Sequence, residues 1–250
     1  MIVLKTSREL VKLREAGRIS ALALHTVGKA IEPGVTTYEL DRVARQFIEK
    51  CGARPNFLGY GGFPGSACIS VNNVVIHGIP SKKIVLKQGD IVSIDIGAEV
   101  DGYNGDNAYT FPCGDISAQA QALLDATRES LYEGIAMAKP GNRIGDIGSA
   151  VQRYVEARGY SVVREFVGHG VGTSLHEDPS VPNYGKPGRG VRLMPGMVIA
   201  IEPMINAGTK SVRVLEDGWT TVTADGSLSA HFEHTVAITP DGPVILTRPE

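Results

Sequence analysis

Asp95-Ile96-Gly97-Ala98-Glu99-Val100-Asp101-Gly102-Tyr103-Asn104-Gly105-Asp106 is the stretch that decides the fold. Its first residue lies within an apolar run, residues 91–96, that predicts a buried strand. A buried carboxylate is costly unless its charge is compensated, and a bound cation is the natural compensator. The Asp-Gly and Asn-Gly pairs predict a turn, after which Asp106 returns on a second strand. Two carboxylates of one hairpin are therefore expected to face one point.

The composition is that of an ordinary globular protein of 250 residues with a net charge of −2. It contains no basic patch that would indicate nucleic acid and no apolar stretch long enough to span a membrane. The first residues lack the features of a signal peptide, and three widely spaced cysteines indicate no disulfide framework. We therefore predict a cytoplasmic protein.

Two capping boxes predict the first two helices. Thr6 and Glu9 begin a long helix whose inner face continues to Ile31 and which Pro33-Gly34 ends. Thr36 and Glu39 begin a second helix, whose inner face runs from Leu40 to Cys51 and which Gly52 closes. Further along the chain, residues 67–71 predict a strand and residues 117–138 a third helix.

The same order of elements repeats after Gly114, at a constant offset of 107 residues. The matched positions include turns, helix ends, strand residues and one carboxylate: Pro33-Gly34 with Pro140-Gly141, 47–49 with 154–156, Gly52 with Gly159, Gly89 with Gly196, 91–92 with 198–199, Ile94 with Ile201, and Asp95 with Glu202. The repeat predicts one α+β domain over 1–250, made of two helix-helix-strand halves, about 1–114 and 115–250. The halves would pack about an approximate two-fold axis with a ligand between them.

The returning strands should add further carboxylates at this axis. Asp106 does so in the first half, and Glu233 lies on a similar strand, residues 231–238, after a connection that is 20 residues longer. His169, flanked by glycines, supplies an imidazole. Four carboxylates in one cavity repel each other, and two divalent ions would balance their charge. Oxygen-rich ligation with one nitrogen suits Mn, Fe, Co or Zn, and two such ions can hold a bridging hydroxide for hydrolysis.

These motifs together resemble a known family. The matching segments are Asp95, the Asp-Gly-Tyr run ending at Asp106, Gly-His-Gly around His169, Ile-Glu-Pro at Glu202 and Glu-His-Thr at Glu233. Together they resemble the bacterial type I methionine aminopeptidases, and the resemblance covers nearly the whole chain, including residues 162–165 and 217–220. It implies the pita-bread fold around a central antiparallel sheet and a dinuclear site with those five ligands. It also implies removal of the initiator methionine from new proteins with a small second residue.

The resemblance also assigns roles around the metal site. It implies that His77 contacts the substrate amide, that His176 donates to the scissile carbonyl oxygen, and that Glu202 relays a proton to the leaving amine. Aromatics and a thiol suit a thioether side chain. The implied methionine pocket contains Tyr60, Phe63, Cys68, Leu175 and Trp219. At three positions of the pocket rim this sequence differs from well-known members of the family: Phe57, Gly61 and Phe63. Positions that hold a monovalent cation in relatives match Asn72, Val74 and Ser229.

The remaining histidines and Cys51 have structural interpretations. We expect Cys51 to pack on its helix face, and His25 to be structural. Because strand side chains alternate, His234 should point away from Glu233, whereas His231 should share its side and could line the cavity.

Two other functions fit the same fold: an Xaa-Pro aminopeptidase and a non-catalytic binding protein. The first usually carries a large N-terminal domain, for which a helix beginning at Thr6 leaves no room, and the second would lack some of the five ligands. A type II enzyme is disfavoured by the 33-residue spacing from His169 to Glu202. The expected partners are nascent polypeptide N-termini, for a monomeric enzyme. Ribosome association is left open because there is no basic extension.

Overall fold

The computed structural model describes residues 1–249, which form an α+β fold with four α-helices and fifteen strands. The helices are α1 (Ser7–Gly28), α2 (Thr37–Lys50), α3 (Ala118–Met137) and α4 (Ile144–Glu156). The strands are β1 (Arg54–Pro55), β2 (Ala67–Val71), β3 (Val74–Ile76), β4 (Ile91–Val100), β5 (Tyr103–Pro112), β6 (Ser161–Val162), β7 (Gly168–Gly170), β8 (Glu177–Val181), β9 (Val198–Ile201), β10 (Met204–Asn206), β11 (Val212–Val214), β12 (Thr221–Thr223), β13 (Ser229–His231), β14 (Glu233–Thr239) and β15 (Gly242–Ile245).

Both halves contribute to one antiparallel sheet, which has nine strands within the described chain. Its main path is β1-β4-β5-β14-β9-β7-β8, with β2 on β4 and β15 on β14. The halves join where β5 pairs with β14, through Glu233 opposite Ala108 and His234 opposite Asn107. The hairpin of β4 and β5 lies on one side of this seam, and β14 and β9 lie on the other. The predicted central antiparallel sheet is therefore confirmed.

The hairpin turn is tighter than predicted. Asp101 and Gly102 form it alone, with φ of 49° and 78°, as a two-residue turn between β4 and β5. The second expected turn pair, Asn104-Gly105, lies inside β5 instead, so this part of the prediction was wrong. Gly105 is there because α1 crosses the strand: a Cβ on Gly105 would lie 2.4 Å from the backbone nitrogen of Gly17.

The first helix begins as predicted but ends early. Its capping box at Thr6 is present, yet the helix stops at Gly28 and not at Pro33-Gly34. At Gly28 the helix touches the ring of Phe111, which would lie 2.4 Å from an added Cβ. Ala30 then donates to the carbonyl of Val27, only three residues back, at 2.9 Å. This bond tightens the last turn and the chain leaves the helix there.

The second helix has the predicted capping box at Thr36 and ends at Lys50. Gly52 follows with a φ of 73°, the left-handed conformation that suits glycine after a helix. Cys51, expected on the inner face, is exposed. It is the C-cap residue, so the helical periodicity that would have turned it inward no longer applies.

The second half repeats the first at the expected offset. Helix α4 begins at Ile144, 107 residues after the Thr37 that begins α2, and α3 fills the predicted span between Ser117 and Ala138. The returning segment 231–238 differs from the prediction, because it breaks at Phe232. Strand β13 before the break pairs with β10 in a separate sheet, and β14 after it joins the central sheet.

The apolar core is divided into two main clusters that follow the two halves. Residues such as Leu24, Leu40 and Ile94 pack between α1, α2 and β4, and residues such as Leu131 and Ile201 pack beneath α3 and α4. Among the helices of residues 1–249, none is long and apolar enough to cross a membrane. The boundary of the halves near residue 114, within one domain, stays a prediction.

Candidate metal centre and active-site pocket

Five neighbouring strands bring the five candidate ligands to one cavity. The ligands lie on β4, β5 and β7, directly after β9, and at the start of β14, and in the sheet these strands run β4-β5-β14-β9-β7. The cavity has a volume of about 470 Å³. Its walls include Asp95, Asp106, His169, Glu202 and Glu233.

Three of these side chains form a tight group. Asp106, His169 and Glu233 each offer one ligand atom, and these atoms lie within 4.8 Å of one another. His169 Nε2 is 3.7 Å from Asp106 Oδ2 and 3.6 Å from Glu202 Oε1. Asp95 stands two register positions from Asp106 on the paired strand, so their side chains share one face of the sheet. All five therefore face the same space.

The ring of His169 is fixed with one nitrogen turned to the carboxylates. Its Nδ1 lies 2.9 Å from the carbonyl oxygen of Gly170, to which it can only donate. Burial lowers the pKa of His169 to about 3, so the ring is neutral and Nε2 keeps a free lone pair. A backbone carbonyl that selects the tautomer in this way is typical of histidines that bind metal.

The carboxylates are poorly compensated by protein groups. Burial raises the pKa of Asp106 to about 7. Burial, followed by the charge of Asp106, also raises the pKa of Glu202 and of Glu233 well above the ordinary value, and the pKa of Asp95 is raised for the same reasons. Three buried oxygens of these carboxylates accept no hydrogen bond from residues 1–249: Asp95 Oδ1, Asp106 Oδ1 and Glu233 Oε1.

Orphaned carboxylate oxygens and a free imidazole nitrogen are the donors that divalent metals prefer. Hydrogen-bond donors from the described residues would have satisfied these oxygens in a purely structural polar cluster. The residues present therefore fit a metal centre, and the observation that supports this is the unpartnered state of three buried acceptors on the same side of the sheet.

Two further histidines stand at the mouth of the cavity. The ring of His176 lies 4.0 Å from that of His169, and its Nδ1 is 2.9 Å from the hydroxyl of Tyr60. His77 has a φ of 58°, an uncommon conformation for a residue with a side chain. Burial lowers the pKa of His77 to about 4 and also lowers the pKa of His176, so both rings are neutral at physiological pH.

An apolar wall adjoins the carboxylates. Cys68 lies directly opposite Asp95 in the pairing of β2 with β4, so the thiol neighbours a candidate ligand. Burial and the charge of Asp95 raise the pKa of Cys68, which keeps it an uncharged wall residue. The ring of Phe63 meets that of Trp219 edge-on at 5.2 Å. The other predicted pocket residues, Tyr60 and Leu175, line the same cavity, as does Phe57.

Sequence reasoning missed part of this wall. Glu165, Phe166 and Val167 line the cavity, and the ring of Phe166 meets that of His77 edge-on at 5.6 Å. The Val-Val-Arg-Glu segment at 162–165 was a motif of the resemblance, and the residues that follow it carry no local signal. Their place depends on how the chain leaves β6.

Of the other histidines, His231 is not among the residues that line the cavity, and His234 and His25 lie away from it as expected. His231 is buried with its Nε2 3.7 Å from Glu202 Oε2. The strand break at Phe232 means that the alternation of strand side chains does not relate His231 to Glu233. His234 turns away from the site and its Nδ1 lies 2.9 Å from Thr247 Oγ1. His25 is in α1, far along the sequence from any ligand, with its side chain exposed.

The three residues matched to a monovalent cation site lie near each other beside β12. Ser229 donates its backbone N–H to the carbonyl of Asn72 at 2.9 Å, and Val74, two residues along, pairs with Val222. The Asn72 side chain also accepts from Ile91 N at 3.0 Å. These contacts bring Asn72 and Ser229 together at the start of β4.

A two-half sheet with a carboxylate and histidine cluster at its seam defines the class of metal-dependent peptidases that share the pita-bread fold. Comparison with known sequences agrees: the pattern of metallopeptidase family M24 matches residues 11–240. A methionine aminopeptidase of Bacillus subtilis is 58% identical over 248 residues, 99% of this chain and 100% of that protein. The chain belongs to metallopeptidase family M24, and within it resembles the bacterial methionine aminopeptidases along its full length.

Solved structures give the same result. A methionine aminopeptidase of Rickettsia prowazekii superposes with a TM-score of 0.98 at 43% identity, covering 99% of this chain and 100% of that one. A prolidase of Pyrococcus horikoshii reaches a TM-score of 0.76 at 24% identity, and the match covers 65% of its chain. The second comparison shows a common fold alone, and the first favours the aminopeptidases over the Xaa-Pro alternative. The predicted pita-bread fold is confirmed.

Proposed function

We propose that this chain is a metal-dependent aminopeptidase that removes the N-terminal methionine from new proteins and peptides whose second residue is small. The observation that carries the proposal is that one cavity has an apolar wall next to the carboxylate cluster. An apolar wall with a thiol and aromatic rings lies directly beside the carboxylate cluster, through Cys68 opposite Asp95. A thioether side chain could therefore occupy the wall while the first peptide bond lies at the cluster.

Two divalent ions, of Co, Mn, Fe or Zn, would be held by Asp95, Asp106, His169, Glu202 and Glu233. When bound, such ions lower the pKa of an attacking water and polarise the scissile carbonyl. The free oxygens of Asp95, Asp106 and Glu233 and the free Nε2 of His169 support this ligand set. A monovalent cation near Asn72, Val74 and Ser229 is a further part of the proposal.

The chain's own residues would orient the substrate and move its protons. A neutral His176 at the cavity mouth can donate to the carbonyl oxygen as negative charge develops there. His77, held by the rings of Phe166 and Trp219, would contact the substrate amide. Glu202 would accept the proton of the attacking water and pass it to the leaving amine. The apolar wall would exclude bulk water from the bond that is cleaved.

A peptide assay tests the proposal. Purified protein with Mn or Co should release free methionine from Met-Ala-Ser and Met-Gly-Met-Met, and much less from Met-Leu-Ser, whose second residue is large. Hydrolysis of Xaa-Pro peptides without hydrolysis of these would assign the alternative peptidase. Failure to hydrolyse any of the peptides, with the metals bound, would instead indicate a binding protein.

We further propose that nascent polypeptide N-termini are the natural substrates and that the enzyme acts as a monomer. Ribosome association and a cytoplasmic location stay predictions. Sedimentation of the protein alone would test the monomeric state, and co-sedimentation with ribosomes would test ribosome association.

A further inference from the structure

A buried ion pair lies outside the cavity, next to the loop that carries His176. Lys5 Nζ is 2.5 Å from Glu177 Oε2, and the two side chains are 4% and 14% exposed. Charges this deeply buried are costly to bring out of water, so each requires the other. Neither residue lines the substrate cavity.

The space for this pair depends on one glycine. A Cβ on Gly172 would lie 2.2 Å from Glu177 Oε1 and 2.5 Å from Lys5 Nζ. Both are distances that a real side chain does not adopt. The φ of Gly172 is not in the left-handed region, so glycine is needed here because a side chain has no space and not because of the backbone conformation.

Glu177 is covalently next to His176 and closes the loop between β7 and β8. Its backbone pairs with Gly170, the neighbour of His169, and its Oε1 accepts from Ser174 N at 3.2 Å. One carboxylate therefore ties the middle of the loop to its end. Successive side chains of a strand point to opposite sides, so Glu177 can hold the backbone from outside while His176 faces the cavity.

The beginning of the loop is also held by hydrogen bonds from strand β5 of the β4–β5 hairpin. Asn104, on β5 two residues before Asp106, donates its side-chain amide to the carbonyls of Gly172 and Thr173 at 3.0 and 3.2 Å. Asn56 in turn donates to Asn104 Oδ1 at 2.9 Å. With residues 172–173 held from β5, the Lys5–Glu177 pair acts together with the backbone pairing of Glu177 and Gly170 to hold the end that carries His176.

We propose that Glu177, held by Lys5, is a positioning residue for His176. The proposal rests on the role given to His176 under the proposed function. Without the ion pair a buried charge would lose its partner, and the loop would move to expose that charge to water. His176 would then lose its place beside His169 and Tyr60, and an error of about 1 Å in a catalytic group is enough to slow a reaction by about 10²-fold.

The kinetic test uses Glu177→Gln and Lys5→Met in the full chain loaded with Mn. Each should lower kcat on Met-Ala-Ser by about 10-fold or more, with KM within about twofold and the metal content unchanged. Asp178→Asn, at the exposed neighbouring carboxylate, is the matched control and should keep kcat. In a His176→Ala background, Glu177→Gln should add no further loss, because the residue acts through His176.

A spectroscopic measurement keeps the proposal separate from the proposed function. In protein labelled with ¹⁵N-histidine and loaded with diamagnetic Zn, the ring signals of His176 should shift in Lys5→Met, which reaches the loop through Glu177, whereas those of His234 should not. Unchanged His176 signals would overturn the positioning role even if the wild type hydrolysed none of the peptides. Losses of kcat that multiply with that of His176→Ala, or a fall in Tm with kcat unchanged, would also overturn it.

Discussion

His176 shows how one side chain at the cavity mouth can act without holding a metal. Its Nδ1 contacts the hydroxyl of Tyr60, its ring stacks on that of Tyr60, and the ring of His169 meets it at a tilt of 41°, so its position is defined by neighbours on both sides. We expect His176→Ala to lower kcat by about 10²-fold, because an oxyanion donor typically contributes a few kcal/mol to the transition state. Steady-state kinetics with a parallel metal analysis checks this. A change confined to KM would assign His176 to binding alone.

Among the candidate ligands, Glu233 and Asp106 are two whose substitution should prevent metal binding. Both are almost fully buried and each has an oxygen without a protein partner. Glu233→Gln or Asp106→Asn replaces a charged oxygen by an amide nitrogen that cannot bind a cation. We expect both variants to fold, by circular dichroism, and to lose metal and activity together. Two bound metals per chain in either variant, with near-normal turnover, would refute this ligand set.

Single residues also set the limits of what the sequence reveals about the site. The five ligands and the pocket side chains Cys68 and Trp219 could be proposed from motifs, because each motif names residue types that the chemistry needs. The left-handed conformation of His77 could not, since it depends on the chain direction imposed by β3 and the close packing of Gly78 on Ile69. Phe166 was missed for the same reason: tertiary packing, without a local pattern, brings it to the cavity.

At the scale of elements, helix α1 crosses the β4–β5 hairpin so closely that the crossing leaves no space for a side chain. Gly105 on β5 touches the backbone of α1 at Gly17, with no room for a methyl group. We expect Gly105→Ala to destabilise the protein by about 3 kcal/mol, because the helix must move away from the strand or distort it. Denaturant unfolding measures the loss.

Gly102 in the turn of the same hairpin is the matched control for that experiment. An added Cβ there would meet nothing within 4 Å, and the cost is the φ of 78° alone. We expect Gly102→Ala to cost about 1 kcal/mol. A loss in Gly105→Ala no larger than that in Gly102→Ala would show that α1 can move aside at little cost and that its packing does not require glycine at position 105.

Elements were predictable where the signal is local and less so where packing decides. The capping boxes at Thr6 and Thr36 placed two helix starts correctly, because their side chains accept hydrogen bonds from the free backbone N–H groups of the first turn. The helix end at Gly28 depends on contact with Phe111, and Cys51 is exposed because α2 ends just before it. Periodicity in the sequence therefore extended both helical faces too far. The strand break at Phe232 likewise follows from a change of pairing partner that alternation does not record.

At the scale of the whole molecule, the candidate metal centre lies on the seam between the two halves. Asp95 and Asp106 come from the first half, and His169, Glu202 and Glu233 come from the second. The seam itself is short, since β5 and β14 pair through two register positions. Unsatisfied carboxylates face each other across it, and in the absence of cations their repulsion opposes the packing of the halves.

Metal binding should therefore stabilise the whole chain and not a local loop. A ligand that binds the folded state alone adds about 2.7 kcal/mol at a hundredfold excess over its Kd. For a protein of this size that corresponds to a rise in Tm of about 5 to 10 °C on adding Mn to chelated protein. Calorimetry measures the rise as one cooperative transition, and Glu233→Gln supplies the control, since it should melt at the same temperature with and without Mn. Two separate transitions in chelated protein that merge on adding Mn would also link the halves through the site. An unchanged Tm on adding Mn to the wild type would contradict the proposal that metal binds at the seam between the halves.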